Sequence, residues 1–279
     1  MLYGINSDYF LINLIRRLDM ELGHVSSATF AGLVFTLIVS FGVPIILLLV
    51  AKIKYKANIV SFFIGAGTFT LFALILEQIL HSMVMGAVGV DNLTSNIWLY
   101  AIYGAGAAAV FEETGRFIAL KFWNKKRLNR ENAFMYGIGH GGIEAIIIVG
   151  ITSISNIAVA LAINSGAINA TLGLLDEEMR TVTYEQISQL WTLEPYQFYM
   201  GGIERIIAIA LHIGMTFVMY RGVKYGDRKN IAMAFVIHFL ADFVTVIVNN
   251  YAPVWVVEAA LAVFVVGIIG YAYNINKEE

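Results

Sequence analysis

Apolar residues gather into seven long runs along the chain, at about 28–51, 58–82, 97–120, 133–162, 198–220, 230–249 and 253–273. An α-helix needs roughly 20 mostly apolar residues to cross the hydrocarbon core of a bilayer, and each run approaches or exceeds that length. Short polar gaps separate them, such as KIKYK, VGVDNLTSN, KFWNKKRLNREN and RGVKYGDRKN, with one longer acidic loop around LLDEEMRTVTYEQ. The pattern predicts an all-α fold, a polytopic membrane bundle of seven transmembrane helices. Pro44 lies inside the first run, where its missing N–H and its ring predict a kink. Residues 1–27 stand apart: their apolar positions fall at helical spacing around Arg16 and Arg17, as in an amphipathic helix lying in the membrane interface. That segment lacks the basic start, apolar core and small-residue cleavage site of a signal peptide. Residues 28–279 are expected to form a single seven-span domain.

Composition supports a membrane setting. Of 279 residues, 59% are hydrophobic and 14% charged, with a mean hydropathy of +0.74, whereas soluble domains carry about 25% charged residues. The net charge of −2 gives no basis for a nucleic-acid partner, and none is expected. With no cysteine in the chain, a disulfide framework, thiol catalysis and thiolate metal sites are excluded. Any metal would have to be held by His, Asp or Glu.

Basic residues set an orientation. Thirteen Lys and Arg follow runs one, three, five and seven, against Arg16, Arg17 and Arg180 on the opposite side. Cytoplasmic loops carry the excess of Lys and Arg, so the N-terminus is expected outside and the C-terminus in the cytoplasm of a multi-pass cell-membrane protein.

The polar residues within the runs then fall at one level. Counted from the basic end of its own run, Glu113 is eight residues in, Glu112 nine, His140 ten, His212 nine and His238 nine; Glu144 is fourteen and Asp242 thirteen. At 1.5 Å per helical residue these groups sit roughly 12–20 Å inside the boundary. Ionisable groups at such depth are costly and face a bundle interior or a wet cavity. Their coincidence on four helices points to one shared site, with its core in 97–249. Spacing agrees: His140 and Glu144, and His238 and Asp242, are i,i+4 pairs that share a helix face. Arg116 is i+4 from Glu112 and i+3 from Glu113, so it can neutralise one carboxylate and leave the other as a general base. Gly137, Gly139, Gly141 and Gly142 around His140 allow close helix approach. Glu77 with His81, Glu204 with Arg205, and Glu258 lie toward the outer ends of their runs and read as structural or interfacial.

Three imidazoles with carboxylates beside them suit Zn2+, which takes His nitrogen and carboxylate oxygen and keeps a water in catalytic sites. The expected roles are His140, His212 and His238 as metal ligands, Glu112 or Glu113 as the group that activates water, Arg116 as their counter-ion, and Glu144 and Asp242 as orienting groups or further ligands. The H-E-x-x-H motif of soluble zinc peptidases is absent, so ligands would have to come from several helices.

E-E-T-G-R at 112–116, Y-G-I-G-H at 136–140 and H-F-L-A-D at 238–242, in that order, resemble the intramembrane glutamic and metallopeptidase superfamily of CAAX prenyl endopeptidases, bacteriocin-processing relatives and PrsW-type proteases. The segment G-H-G-G-I-E-A brings the chain nearest to the YhfC-type membrane peptidases. The resemblance spans about 105–245. It implies that Glu112 or Glu113 activates water, that His140 assists or binds metal, and that His238 with Asp242 binds metal or stabilises an oxyanion. Tyr136 and Asp242 stand where the CAAX enzymes usually have Phe and Asn, and His212 and Glu144 are additions to that pattern. The resulting expectation is an intramembrane peptidase with Zn2+ or a metal-free glutamic mechanism. It would act on a transmembrane or membrane-associated peptide, with its site open to the cytoplasmic half or to lipid. The competing readings are a non-catalytic scaffold or immunity protein of the same fold and an ion-coupled transporter, against which stands the lack of an inverted repeat.

Overall fold

The computed structural model describes residues 22–278, so the expected N-terminal amphipathic helix lies outside the described residues. Among the described residues every regular element is a helix. In order come α1 (Ser27–Ile53), α2 (Ile59–Val88), a short α3 (Val90–Thr94), α4 (Ile97–Ile118), α5 (Arg130–Asn164), α6 (Ile168–Gly173), α7 (Glu177–Thr192), α8 (Pro195–Tyr225), α9 (Arg228–Tyr251) and α10 (Val254–Asn276). Side-chain oxygens of Asn58, Asn96, Asn129, Asp176 and Asp227 accept from the first free N–H groups of α2, α4, α5, α7 and α9, which is how short polar gaps start helices sharply.

Helices α1, α2, α5, α8, α9 and α10 are long and apolar enough to cross a membrane. Their burial is inverted relative to a water-soluble fold. Val263 and Val266 are 75% and 70% exposed while Glu113 and Arg116 are 0%, as expected where the surrounding solvent is hydrocarbon. This is a multi-pass membrane protein. The seven-span expectation counts α4 as well, a 22-residue helix that carries Glu112, Glu113 and Arg116.

The described residues fall into two compact units. The smaller comprises residues 22–34 and 153–198. Its core is Val25, Leu33, Ala160, Ile163, Leu172 and Leu190, and the Asn164 amide closes it by accepting from Val25 N at 2.8 Å and donating to Val25 O at 2.9 Å. The larger unit, residues 35–152 and 199–278 of the described chain, holds every residue of the expected site.

Two helix pairs organise the larger unit: α2 packs on α5, and α4 on α9. At the first crossing Gly65 of α2 lies against the Tyr136 carbonyl and Gly139 of α5 against the Phe62 carbonyl; a Cβ at either position would collide with that backbone. Pro44 sits within the unbroken α1 with its ring against Gly142 of α5. Glycines on α5 thus bring three helices near His140. Around the second pair, Leu120, Met215, Val218, Met219, Ile237 and Val265 form the apolar core. Helices α2 and α5 each include a π-helical turn, at Phe72–Glu77 and Ala145–Gly150, and a third, Ala119–Trp123, follows directly on α4; such turns insert one residue into the α-helical register.

Candidate active site

Adjacent residues on an α-helix point about 100° apart, so Glu112 and Glu113 of α4 meet different neighbours. Glu113 is fully buried. Its Oε2 lies 3.1 Å from Arg116 Nε, and its Oε1 lies 2.8 Å from His238 Nδ1 on α9. The i,i+3 spacing on α4 therefore forms the ion pair, and α9 takes the second oxygen. Glu112, with 10% of its side chain exposed, turns to α5, where its Oε2 lies 2.9 Å from His140 Nε2. Its Oε1 faces His238 Nε2 at 4.0 Å. Glu112 thus stands between two imidazoles, while Glu113 is spent on one imidazole and one guanidinium.

Arg116 anchors α4 to α8. Its Nη1 donates to the His212 carbonyl at 2.8 Å and to Thr216 Oγ1 at 2.7 Å, and its Nη2 lies 3.0 Å from His212 Nδ1. A guanidinium can only donate, so His212 Nδ1 turns a lone pair toward it and the ring hydrogen resides on Nε2. That nitrogen lies 2.6 Å from Glu144 Oε2. The other Glu144 oxygen accepts from Arg205 Nη1 at 2.9 Å, and Arg205 also grips Glu204. A continuous polar chain therefore runs from Glu113 through Arg116, His212, Glu144 and Arg205 to Glu204.

All eight residues expected from the sequence belong to this constellation. Glu112, Glu113, Arg116, His140, Glu144, His212 and His238 are linked to one another through the contacts described above. Asp242 is the edge member, its Oδ2 lying 3.4 Å from His238 Nε2 with 38% of the side chain exposed. The i,i+4 spacing of His140 and Glu144 does not become a contact: Glu144 turns to α8 instead. Thr216 and Arg205 are additional members. Arg205 is separated from Glu144 by 61 positions, a link without any spacing signal. Glu77 and His81 on α2 do pair, at 3.1 Å, and His81 Nδ1 reaches the Tyr103 hydroxyl at 2.7 Å.

The donor set fits a transition metal such as zinc by ligand type, since it offers nitrogen and carboxylate oxygen in a buried setting. One donor atom each from Glu112, His140 and His212 lies within 4.8 Å of the others. Proximity favours His212 as the third ligand; hydrogen-bond chemistry favours His238. Both His212 nitrogens are engaged, by Arg116 and Glu144. His140 keeps Nδ1 without a hydrogen-bond partner. His238 donates Nδ1–H to the Glu113 carboxylate, and its Nε2 faces two more carboxylates, Asp242 at 3.4 Å and Glu112 at 4.0 Å. That carboxylate–imidazole arrangement is the one that orients histidine ligands in metal sites. Donor proximity and the carboxylate behind the ring therefore point to different third ligands, His212 and His238 respectively.

The family model described as YhfC intramembrane metalloprotease matches residues 39–271. The chain is also 35% identical over 231 residues, 80% of its own length and 88% of the relative's, to a Bacillus subtilis (strain 168) protein bearing the description "Uncharacterized membrane protein YhfC".

Proposed function

The chain belongs to the YhfC intramembrane metalloprotease family, and from that premise we propose that it is a membrane-embedded peptidase cleaving a transmembrane or membrane-associated peptide. The observation that supports this most directly is the unequal fate of the two adjacent glutamates. Glu113 has both oxygens committed, to Arg116 and His238, at zero exposure. Glu112 has its oxygens turned to the Nε2 atoms of His140 and His238, which makes it the working carboxylate.

Glu112, His140 and His238 would hold the metal. When bound, it supplies Lewis acidity that polarises a scissile carbonyl and acidifies water. The protein's own residues do the rest. Arg116 fixes Glu113, and Glu113 fixes the His238 ring with its Nε2 toward Asp242 and Glu112. His212, clamped between Arg116 and Glu144, keeps α4, α5 and α8 in register. Asp242 touches His238 on one side and is open on the other; it carries a proton between the site and the exterior, and so to the leaving amine.

Purified protein reconstituted in liposomes with a helical reporter peptide tests the reading. Wild-type protein should cleave the reporter and Glu112→Gln should not. Undiminished cleavage by Glu112→Gln would overturn it.

A further inference from the structure

A cavity of about 560 Å3 opens at the basic end of the larger unit, between α4, α8 and α9. Two exposed cations line it, Lys121 in the π-helical turn that follows α4 and Arg228 at the start of α9. Its walls are Phe117, Ile231 and Phe235, and it reaches inward to Thr114. The two cations are unneutralised: neither forms an ion pair among the described residues. The nearest acid in sequence, Asp227, is occupied as the cap of α9, accepting from Lys229 N at 3.0 Å and from Asn230 Nδ2 at 2.5 Å. Lys121 Nζ instead hangs over the Phe117 and Phe122 rings, 4.8 and 5.5 Å from their centroids. An apolar slot lined also by two free cations matches a ligand with an anionic head and an apolar tail.

We propose that this cavity binds the phosphate headgroup and upper acyl chain of an anionic phospholipid from the leaflet at the basic end of the bundle. The charge rule places that end at the cytoplasmic leaflet, whose anionic lipids attract clustered Lys and Arg. A transmembrane peptide is the poorer occupant, because its own flank on that side carries Lys and Arg and would meet Lys121 and Arg228 as like charges. The site is independent of the peptidase reading and stands or falls without it.

Native mass spectrometry of the full-length protein, offered equal amounts of phosphatidylglycerol and phosphatidylcholine with matched chains, tests the assignment. Wild-type protein should retain phosphatidylglycerol in preference. The double variant Lys121→Gln/Arg228→Gln should lose that preference by about fivefold for each cation removed. Lys125→Gln/Lys126→Gln, which removes equal charge outside the cavity, should keep it. Equal retention of both lipids by wild type, or equal loss in both double variants, would refute a built site. Displacement of the lipid by millimolar inorganic phosphate alone would reassign the cavity to a small anion and overturn the lipid proposal.

Discussion

Arg116 holds His212 at two points, donating from Nη1 to its carbonyl at 2.8 Å and from Nη2 toward its Nδ1 at 3.0 Å. The same guanidinium pairs with Glu113, so one side chain fixes a carboxylate on its own helix and an imidazole on another. Removing it leaves a fully buried carboxylate without its counter-ion.

Arg116→Met should therefore cost about 3–5 kcal/mol of stability. Thermal unfolding in detergent checks this. Glu113→Gln added to Arg116→Met should recover part of the loss, because it removes the stranded charge. A double variant no more stable than the single one would show that Arg116 acts mainly through His212 and Thr216.

Metal content separates the histidines. Purified His238→Gln and His140→Gln should lose a chelator-removable metal, while His212→Gln should retain it, read by elemental analysis of monodisperse protein. Retention by His238→Gln and loss by His212→Gln would transfer the third ligand to His212.

The carboxylates should divide by kinetics. Glu112→Gln should lower cleavage below detection, and Asp242→Asn by about 10²–10⁴-fold with metal content unchanged, the range for a proton-transfer group. Glu113→Gln should act through His238, weakening metal affinity by about 10–100-fold as loss of an orienting partner does. A metal titration followed by cleavage at saturating metal tells Glu113 from Asp242, since Glu113→Gln is rescued by excess metal and Asp242→Asn is not.

The α2–α5 crossing tolerates no added methyl. Gly139→Ala drives a Cβ into the Phe62 backbone, and Gly65→Ala one into the Tyr136 carbonyl, so each should cost about 1–3 kcal/mol. Gly67→Ala, two positions away with nothing within 4 Å of its added Cβ, should be silent. Thermal stability of the three variants reads the contrast directly.

The apolar runs and the common depth of Glu112, Glu113, His140, His212 and His238 were legible in the sequence because both follow from one-dimensional rules, span length and rise per residue. The Glu113–Arg116 pair was legible too, since i,i+3 spacing brings it about. What spacing does not carry is which helix a side chain turns to. His140 and Glu144 share a face by count, yet Glu144 answers to His212 and Arg205 on α8. Glu204 and Arg205 read as an edge pair, and only the approach of α5 and α8 joins them to the site. The π-helical turn at Ala145–Gly150 begins right after Glu144 and shifts the register there, which no apolar periodicity announces.

The charges on α4 also bear on biosynthesis. A segment with Glu112, Glu113 and Arg116 in its last two turns partitions poorly from the translocon, since charged side chains within a membrane helix are costly, an Asp, Lys or Arg by up to roughly 2.5–3.5 kcal/mol at its centre. Two of the contacts that neutralise it come from α8 and α9, which emerge from the ribosome about a hundred residues later. Helix α4 must therefore wait, at the translocon or at the bilayer surface, until its partners are synthesised, and a nascent chain halted before His238 holds an acid pair with no imidazole to receive it.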